Sequence, residues 1–324
     1  MRKKVVIPDD FPPQITGSKA LERLKERSDV TCFTDRADTD DEFIMRMKNA
    51  DAVINVRAYS KFTETVFSEL GSLKMLSVLG VGVDNIDLNA AAKHGVVVTN
   101  TPDVATNAVA EHSLALMLAA ARRIPELHNK TAAGEWSKGM VMQACGKTLG
   151  LIGTGAIGSR LAVLARGIGM NVIAWTFNPS EARARTLGLR YVELEEILKV
   201  SDFISIHIKL TPEAEGLIGE KEFDMMKRSA VLVNTARGGI VDKDALIQAL
   251  KTKEIAAAAL DVFHEEPVSP NDPLIELENL VLTPHSAGIT SEAIENSCNK
   301  VVDNVINYLQ GTPMSVVTGW NEDV

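Results

Sequence analysis

The chain has 324 residues, 45% hydrophobic and 24% charged, with a formal net charge of -9, a composition that suits a globular protein with room for two domains. The acidic balance argues against nucleic acid as a partner, because a phosphate backbone needs a basic footprint; no stretch approaches the roughly 18 uninterrupted apolar residues of a membrane span. Cys32, Cys145 and Cys298 form no CxxC pair, so a reducing, cytoplasmic setting is expected.

Basic Met1-Arg2-Lys3-Lys4 leads into an apolar run that stops at Pro8 and Asp9-Asp10, too short for a signal-peptide core. Strand-like runs follow at 4–7, 30–33, 52–56, 75–79 and 96–99, with helix-patterned segments at 18–27, 40–49, 64–70 and 88–94 between them. Such alternation predicts a parallel sheet with crossover helices. The Ala/Leu-rich segment 107–121 carries Glu111 and His112 and is expected as a buried or interface helix. A second strand series starts at 148–152 and continues at 171–175, 203–208, 230–234, 257–262 and 280–283. Segment 291–309 has a helical pattern with no strand expected after it, and is expected to pack back on the first domain. The division is therefore 1–100 plus 290–324 as a substrate domain and 101–289 as a nucleotide domain, with the active site in the cleft between them.

The nucleotide assignment rests on Gly153-Thr154-Gly155-Ala156-Ile157-Gly158, which follows the apolar run 148–152 and opens a helical segment. In a dinucleotide-binding turn the first Gly permits the bend, the second lets backbone approach a pyrophosphate, and the third lets helix pack on strand. An acid about 20 residues further on would bind the adenosine ribose of NAD. Thr176 stands there instead, followed by Phe177-Asn178-Pro179-Ser180 and then by Arg183 and Arg185. Hydroxyl, amide and guanidinium groups can hydrogen-bond a 2′-phosphate that a carboxylate would repel, so NADP or dual use is favoured and NAD stays open.

Three later strands run into polar residues: 230–234 into Thr235-Ala236-Arg237-Gly238-Gly239, 257–262 into Phe263 to Glu266-Pro267, and 280–283 into Pro284-His285. Parallel strands bring these ends to one edge of a sheet, where open α/β sheets bind ligands. An imidazole oriented by a carboxylate is suited to general acid/base work near neutral pH, and a guanidinium can hold and polarise a 2-keto acid. His264 is the rival histidine close to Glu266. His94, His112, His128 and His207 show no metal-ligand spacing, and no metal is expected.

On these segments the chain resembles the D-isomer-specific 2-hydroxyacid dehydrogenases over essentially its whole length. The extended family signature is met by Gly153, Gly155, Gly158, Ala162 and Gly169. The resemblance implies an α/β fold of two doubly wound parallel-sheet domains, a flavodoxin-like substrate domain and a Rossmann NAD(P)-binding domain. It implies hydride transfer between NAD(P)H and a D-2-hydroxy acid/2-keto acid pair. His285 would be the proton donor, Glu266 its orienting partner, and Arg237 the group binding substrate carboxylate and carbonyl. Gly153, Gly155, Ala156, Ile157, Gly158, Thr176, Thr235, Ala236, Asp261, Ser286 and Gly288 would contact the dinucleotide. The loop from Gly80 to Asp87 resembles the family's carboxylate-binding loop, which makes Val81 and Gly82 candidate substrate contacts, and Arg57 matches an arginine of the phosphoglycerate branch. That branch carries an Arg where Val78 stands, which counts against 3-phosphoglycerate as substrate. The 107–121 helix and an arm around Trp136 imply a homodimer. A corepressor-like, cofactor-gated binding protein shares the fold and is the alternative class. A chain ending soon after Pro313 without an interaction tail favours a free-standing enzyme, and Glu266, which resembles Gln in formate dehydrogenases, speaks against that branch.

Overall fold

The computed structural model describes residues 2–56 and 59–318. The first elements are β1 (Lys4–Ile7), α1 (Lys19–Lys25), β2 (Asp29–Cys32), α2 (Asp40–Met47), β3 (Ala52–Asn55), α3 (Glu64–Glu69), β4 (Met75–Val78), α4 (Leu88–Lys93) and β5 (Val97–Thr99). Each of the four helices starts where a short polar side chain can satisfy an orphan N–H: Ser18, Thr39, Thr63 and Asp87 accept from Leu21, Glu42, Val66 and Ala90.

Then come α5 (Thr106–Ala121), α6 (Ile124–Ala132), β6 (Thr148–Ile152), α7 (Ala156–Gly167), β7 (Asn171–Trp175), α8 (Glu181–Leu187), β8 (Arg190–Tyr191), α9 (Leu194–Val200), β9 (Phe203–Ile206), α10 (Glu220–Met225), β10 (Val231–Asn234), α11 (Lys243–Thr252), β11 (Ala257–Leu260), β12 (Leu280–Leu282), α12 (Ser291–Leu309) and β13 (Val316–Thr318). The described residues up to Ala105, with those from Thr290 onward, form one compact unit, and Thr106–Ile289 forms the other.

The first unit holds a sheet in the order β13-β5-β4-β3-β1-β2. All its pairings are parallel except β13 with β5, so the parallel part has the flavodoxin-like order. On α12, Ala293, Ser297, Cys298, Val301, Val302 and Val305 form a buried stripe at helical spacing. Cys298, Val301, Val302 and Val305 share a core with Val5, Ile7, Ile54 and Met75. β13 corrects the expectation that no strand follows this helix. Its three residues, Val-Val-Thr, are largely exposed and too few to display a pattern; edge pairing with β5, rather than burial, defines the strand.

In the second unit the order is β12-β11-β10-β9-β6-β7-β8, all parallel. From β6 the chain first builds outward through β7 and β8, then returns to place β9 on the other side of β6. That reversal is the topological switch point of a Rossmann sheet, where ligands bind outside the carboxyl ends of the strands. The inner strands β9, β10 and β11 are buried at every residue, as expected for parallel strands covered on both faces. One apolar layer packs them against α5 and α7, and a second against α9, α10 and α11.

Candidate active site

The glycine turn sits at the carboxyl end of β6, beside the switch point. Gly153 has φ 103, and a Cβ there would lie 2.6 Å from the His207 carbonyl oxygen. A Cβ on Gly158 would lie 2.1 Å from the Gly153 carbonyl oxygen, whereas one on Gly155 would meet nothing within 4 Å. Two glycines are thus required by backbone packing and the middle one leaves an open approach, which is the division of labour a pyrophosphate needs. Gly155 caps α7 without a side-chain acceptor, and no acid lies in the first turn. The N–H groups of Ala156, Ile157 and their neighbours therefore offer partial positive charge to an anion. These residues fit a dinucleotide.

β10 ends in an Asx-type turn that sets Arg237. Buried Asn234 accepts from the Ala236 N–H at 3.0 Å and donates from Nδ2 to the Arg237 carbonyl at 2.9 Å. Thr235 is fixed from α5 through a 2.8 Å hydroxyl contact with Ser113. A Cβ on Gly238 would lie 2.2 Å from the Phe263 carbonyl carbon, so glycine is needed where the loop after β10 passes beneath the loop after β11.

The loop after β12 carries His285, whose Nδ1 lies 2.7 Å from Glu266 Oε2. The Phe263 N–H donates to Glu266 Oε1 at 3.0 Å, so both oxygens of the carboxylate have defined partners. The Glu266 hydrogen bond raises the pKa of His285 above the ordinary imidazole range against opposition from burial and from the charge of Arg237. Burial pushes the Glu266 pKa up, but the bonds from His285 and Phe263 outweigh it and hold the carboxyl below its usual range. Each partner thus favours the charged form of the other.

Asp261 plays a part the residue pattern alone did not reveal. It is 1% exposed, accepts the Ser286 and Ala287 N–H groups at 2.9 Å each, and takes the Thr283 hydroxyl at 2.5 Å. Its carboxylate is spent on the loop that bears His285. His112 reaches the same cluster from α5, with Nε2 at 3.0 Å from Thr283 Oγ1 and 3.5 Å from Asp261 Oδ1. Asn234, Thr283 and His112 are additions to the candidate site. The Thr-Pro-His context was a signal for Thr283, whereas His112, 171 positions away, had none beyond its place on an apolar helix.

His264 is exposed on the loop after β11 and its rivalry with His285 finds no geometric support, since Glu266 engages His285. His94 pairs with Glu64. His207 follows β9 and bonds Ser205 Oγ at 2.8 Å. Val81 is 47% exposed and Gly82 is partly exposed, on the loop after β4 of the first unit. Arg57 lies outside the described residues. Among the described residues, no group of three or more His, Cys, Asp or Glu side chains is placed to hold a metal ion, and no helix is long and apolar enough to cross a membrane.

A parallel α/β unit with a glycine turn at its switch point, and Arg, Glu and His on the ends of successive strands, defines a nicotinamide-dinucleotide-binding Rossmann protein of the dehydrogenase class. Residues 114–287 match the family model described as D-isomer specific 2-hydroxyacid dehydrogenase, NAD binding domain. The chain belongs to the D-isomer-specific 2-hydroxyacid dehydrogenase family, oxidoreductases that act on CH–OH donors with a nicotinamide dinucleotide. It is 37% identical to a glyoxylate reductase of Korarchaeum cryptofilum over 96% of this chain and 94% of that protein. It is 42% identical to a D-3-phosphoglycerate dehydrogenase of Archaeoglobus fulgidus over 85% of this chain, but it spans only 52% of that relative's length. Among solved structures, an acyclic imino acid reductase in complex with NADPH and D-Arg superposes with a TM-score of 0.88 at 31% identity, covering 97% of this chain and 99% of the other. These relatives are named as enzymes, which does not favour the corepressor-like alternative.

Proposed function

We propose that this protein transfers hydride reversibly between NAD(P)H and a small 2-keto acid, giving the D-2-hydroxy acid, as a cytoplasmic homodimer. The observation that carries the reading is the 2.7 Å His285–Glu266 pair on the same sheet edge as Arg237 and the glycine turn. The dinucleotide, when bound, supplies or accepts the hydride at its nicotinamide. Gly153, Gly155, Ala156, Ile157 and Gly158 would hold its pyrophosphate, Thr176 would bind at its adenosine end, and Thr235, Ala236, Ser286 and Gly288 would bind at its nicotinamide end. Asp261 acts there through the backbone it fixes.

In the reduction direction His285, protonated and steadied by Glu266, gives its proton to the substrate oxygen. Arg237 holds the carboxylate and stabilises the negative charge that grows on that oxygen as the keto carbon is reduced. In oxidation the imidazole takes the hydroxyl proton back, and Glu266 stabilises the imidazolium that results. Val81, Gly82 and Arg57 are candidate substrate contacts on the family resemblance alone. Val78, where the phosphoglycerate branch carries an arginine, counts against 3-phosphoglycerate. The missing acid at Thr176 supports NADP(H) or dual use, and the NADPH-bound imino acid reductase is compatible with it.

A kinetic panel tests the reading. Glyoxylate, hydroxypyruvate and larger 2-keto acids are offered with NADH and with NADPH, and 3-phosphoglycerate is offered in the oxidative direction with NAD and NADP. Steady turnover on small 2-keto acids is expected; absence of turnover on every member would refute it.

A further inference from the structure

Among the described residues, the corner between β6, β7 and β8 contains a cation with no anion. Arg183, on α8, donates from Nη1 to Thr154 Oγ1 at 3.3 Å. That hydroxyl also bonds the Tyr191 phenol on β8 at 2.7 Å. Thr154 is the residue between the first two glycines of the turn and is 1% exposed, so the Tyr191–Thr154 pair draws an otherwise exposed guanidinium back toward the turn. Among the described residues no carboxylate pairs with Arg183, while its helix neighbour Arg185 faces Glu181 at 3.4 Å. Residues 176–180, between β7 and α8, contribute Thr, Phe, Asn, Pro and Ser and no acid.

In a Rossmann sheet this corner receives the adenosine ribose, because the ribose lies past the pyrophosphate on the β7 side of the turn. A ribose 2′-hydroxyl gains from a carboxylate there. A 2′-phosphate gains from a guanidinium, whose planar fork matches phosphate oxygens. We infer that Arg183, positioned by Thr154 and Tyr191, is the group that takes the 2′-phosphate and makes NADP(H) the preferred dinucleotide. The inference rests on the dinucleotide reading of the glycine turn and adds to it the choice between the two dinucleotides. Thr176 and Asn178, in the segment between β7 and α8, carry neutral hydrogen-bonding groups that suit either form of the ribose.

The test uses binding of dinucleotide halves, measured by titration calorimetry on the full chain. The ligands are 2′,5′-ADP, which carries the 2′-phosphate, and 5′-AMP, which does not. Wild type is expected to bind 2′,5′-ADP about ten- to a hundredfold more tightly, the range of a charge-assisted hydrogen-bonded pair, with an advantage that shrinks as salt rises. Arg183→Gln should abolish most of that preference while leaving 5′-AMP affinity unchanged. Arg183→Lys should restore part of it, since charge returns without the fork. Tyr191→Phe should weaken 2′,5′-ADP selectively, a result that a merely structural role for the phenol would not produce. Equal affinity of wild type for both ligands, or a preference that survives Arg183→Gln, overturns the inference while the dinucleotide reading stands. Failure of both ligands, and of NADH and NADPH, to bind overturns both.

Discussion

His285 occupies a left-handed backbone conformation, φ 51, which costs a non-glycine residue roughly 1–2 kcal/mol. Asp261 offsets that cost by accepting the next two N–H groups, so the loop holds the imidazole rigidly against Glu266. Asparagine tolerates the same backbone region. His285→Asn therefore separates chemistry from loop conformation, and kcat for keto-acid reduction should fall about 10²–10⁴-fold, the usual range for loss of a general acid. Dinucleotide affinity, read by fluorescence titration, should stay near wild type; wild-type turnover in the variant would remove His285 from the mechanism. Glu266 supplies a second test through pH. Because it raises the His285 pKa, the proton-donating form persists to higher pH than free histidine would allow. Glu266→Gln deletes the charge that favours imidazolium, so the alkaline limb of kcat/KM for reduction should move to lower pH. The limb for oxidation, which needs neutral imidazole, should move the same way. An unmoved profile would mean that Glu266 does not set the proton affinity.

At the scale of elements, the glycine turn depends on two contacts between backbone atoms that no side-chain adjustment can relieve. In Gly158→Ala the new Cβ would lie 2.1 Å from the Gly153 carbonyl oxygen, so α7 must withdraw from the turn or the turn must open. Overpacking of this kind costs about 1–3 kcal/mol, expected as a lowered urea midpoint. Dinucleotide affinity should fall by more than stability does, because the displaced atoms are those that face the pyrophosphate. Gly155→Ala provides the contrast: its Cβ meets no protein atom within 4 Å, so stability should hold while dinucleotide binding suffers. Equal stability losses in the two variants would contradict this division. The long elements were legible in the sequence because apolar runs and helical spacing are properties of each segment. α6 was not: Arg123, just before it, has φ 52, and none of its residues is fully buried, so its few apolar side chains mark no core face. β8 and β13, with two and three residues, exist only through the strands they pair with.

Across the whole molecule, the same difference separates the parts of the site that sequence reveals from those it conceals. Arg237, Glu266 and His285 could be brought together in advance because each terminates a strand of one parallel sheet, and parallel strands share an edge. The Asp261–Thr283–His112 cluster and the Arg183–Thr154–Tyr191 corner join residues on different elements through side-chain reach, which spacing along the chain does not encode. His207 extends this argument to stability. Burial pushes its pKa from 6.5 down to about 4, and its carbonyl oxygen is the atom against which Gly153 packs. Between these two values the unfolded chain binds a proton that the native protein does not. Stability therefore falls as pH drops through this window, by up to about 1.4 kcal/mol per pH unit from this one group. Carboxyls held below their usual range, such as Asp202, where bonds from Thr148 and Lys227 outweigh burial, contribute stability that is lost only in more acid solution, as pH falls through their native values. Urea melts across pH should thus show wild type weakening from about pH 6.5 downward. His207→Gln, which keeps a polar partner for Ser205 but carries no titrating proton, should hold its stability until the carboxylate window is reached. Parallel pH profiles for the two proteins would assign the acid sensitivity elsewhere, whereas convergence toward low pH would place it at the imidazole beneath the glycine turn.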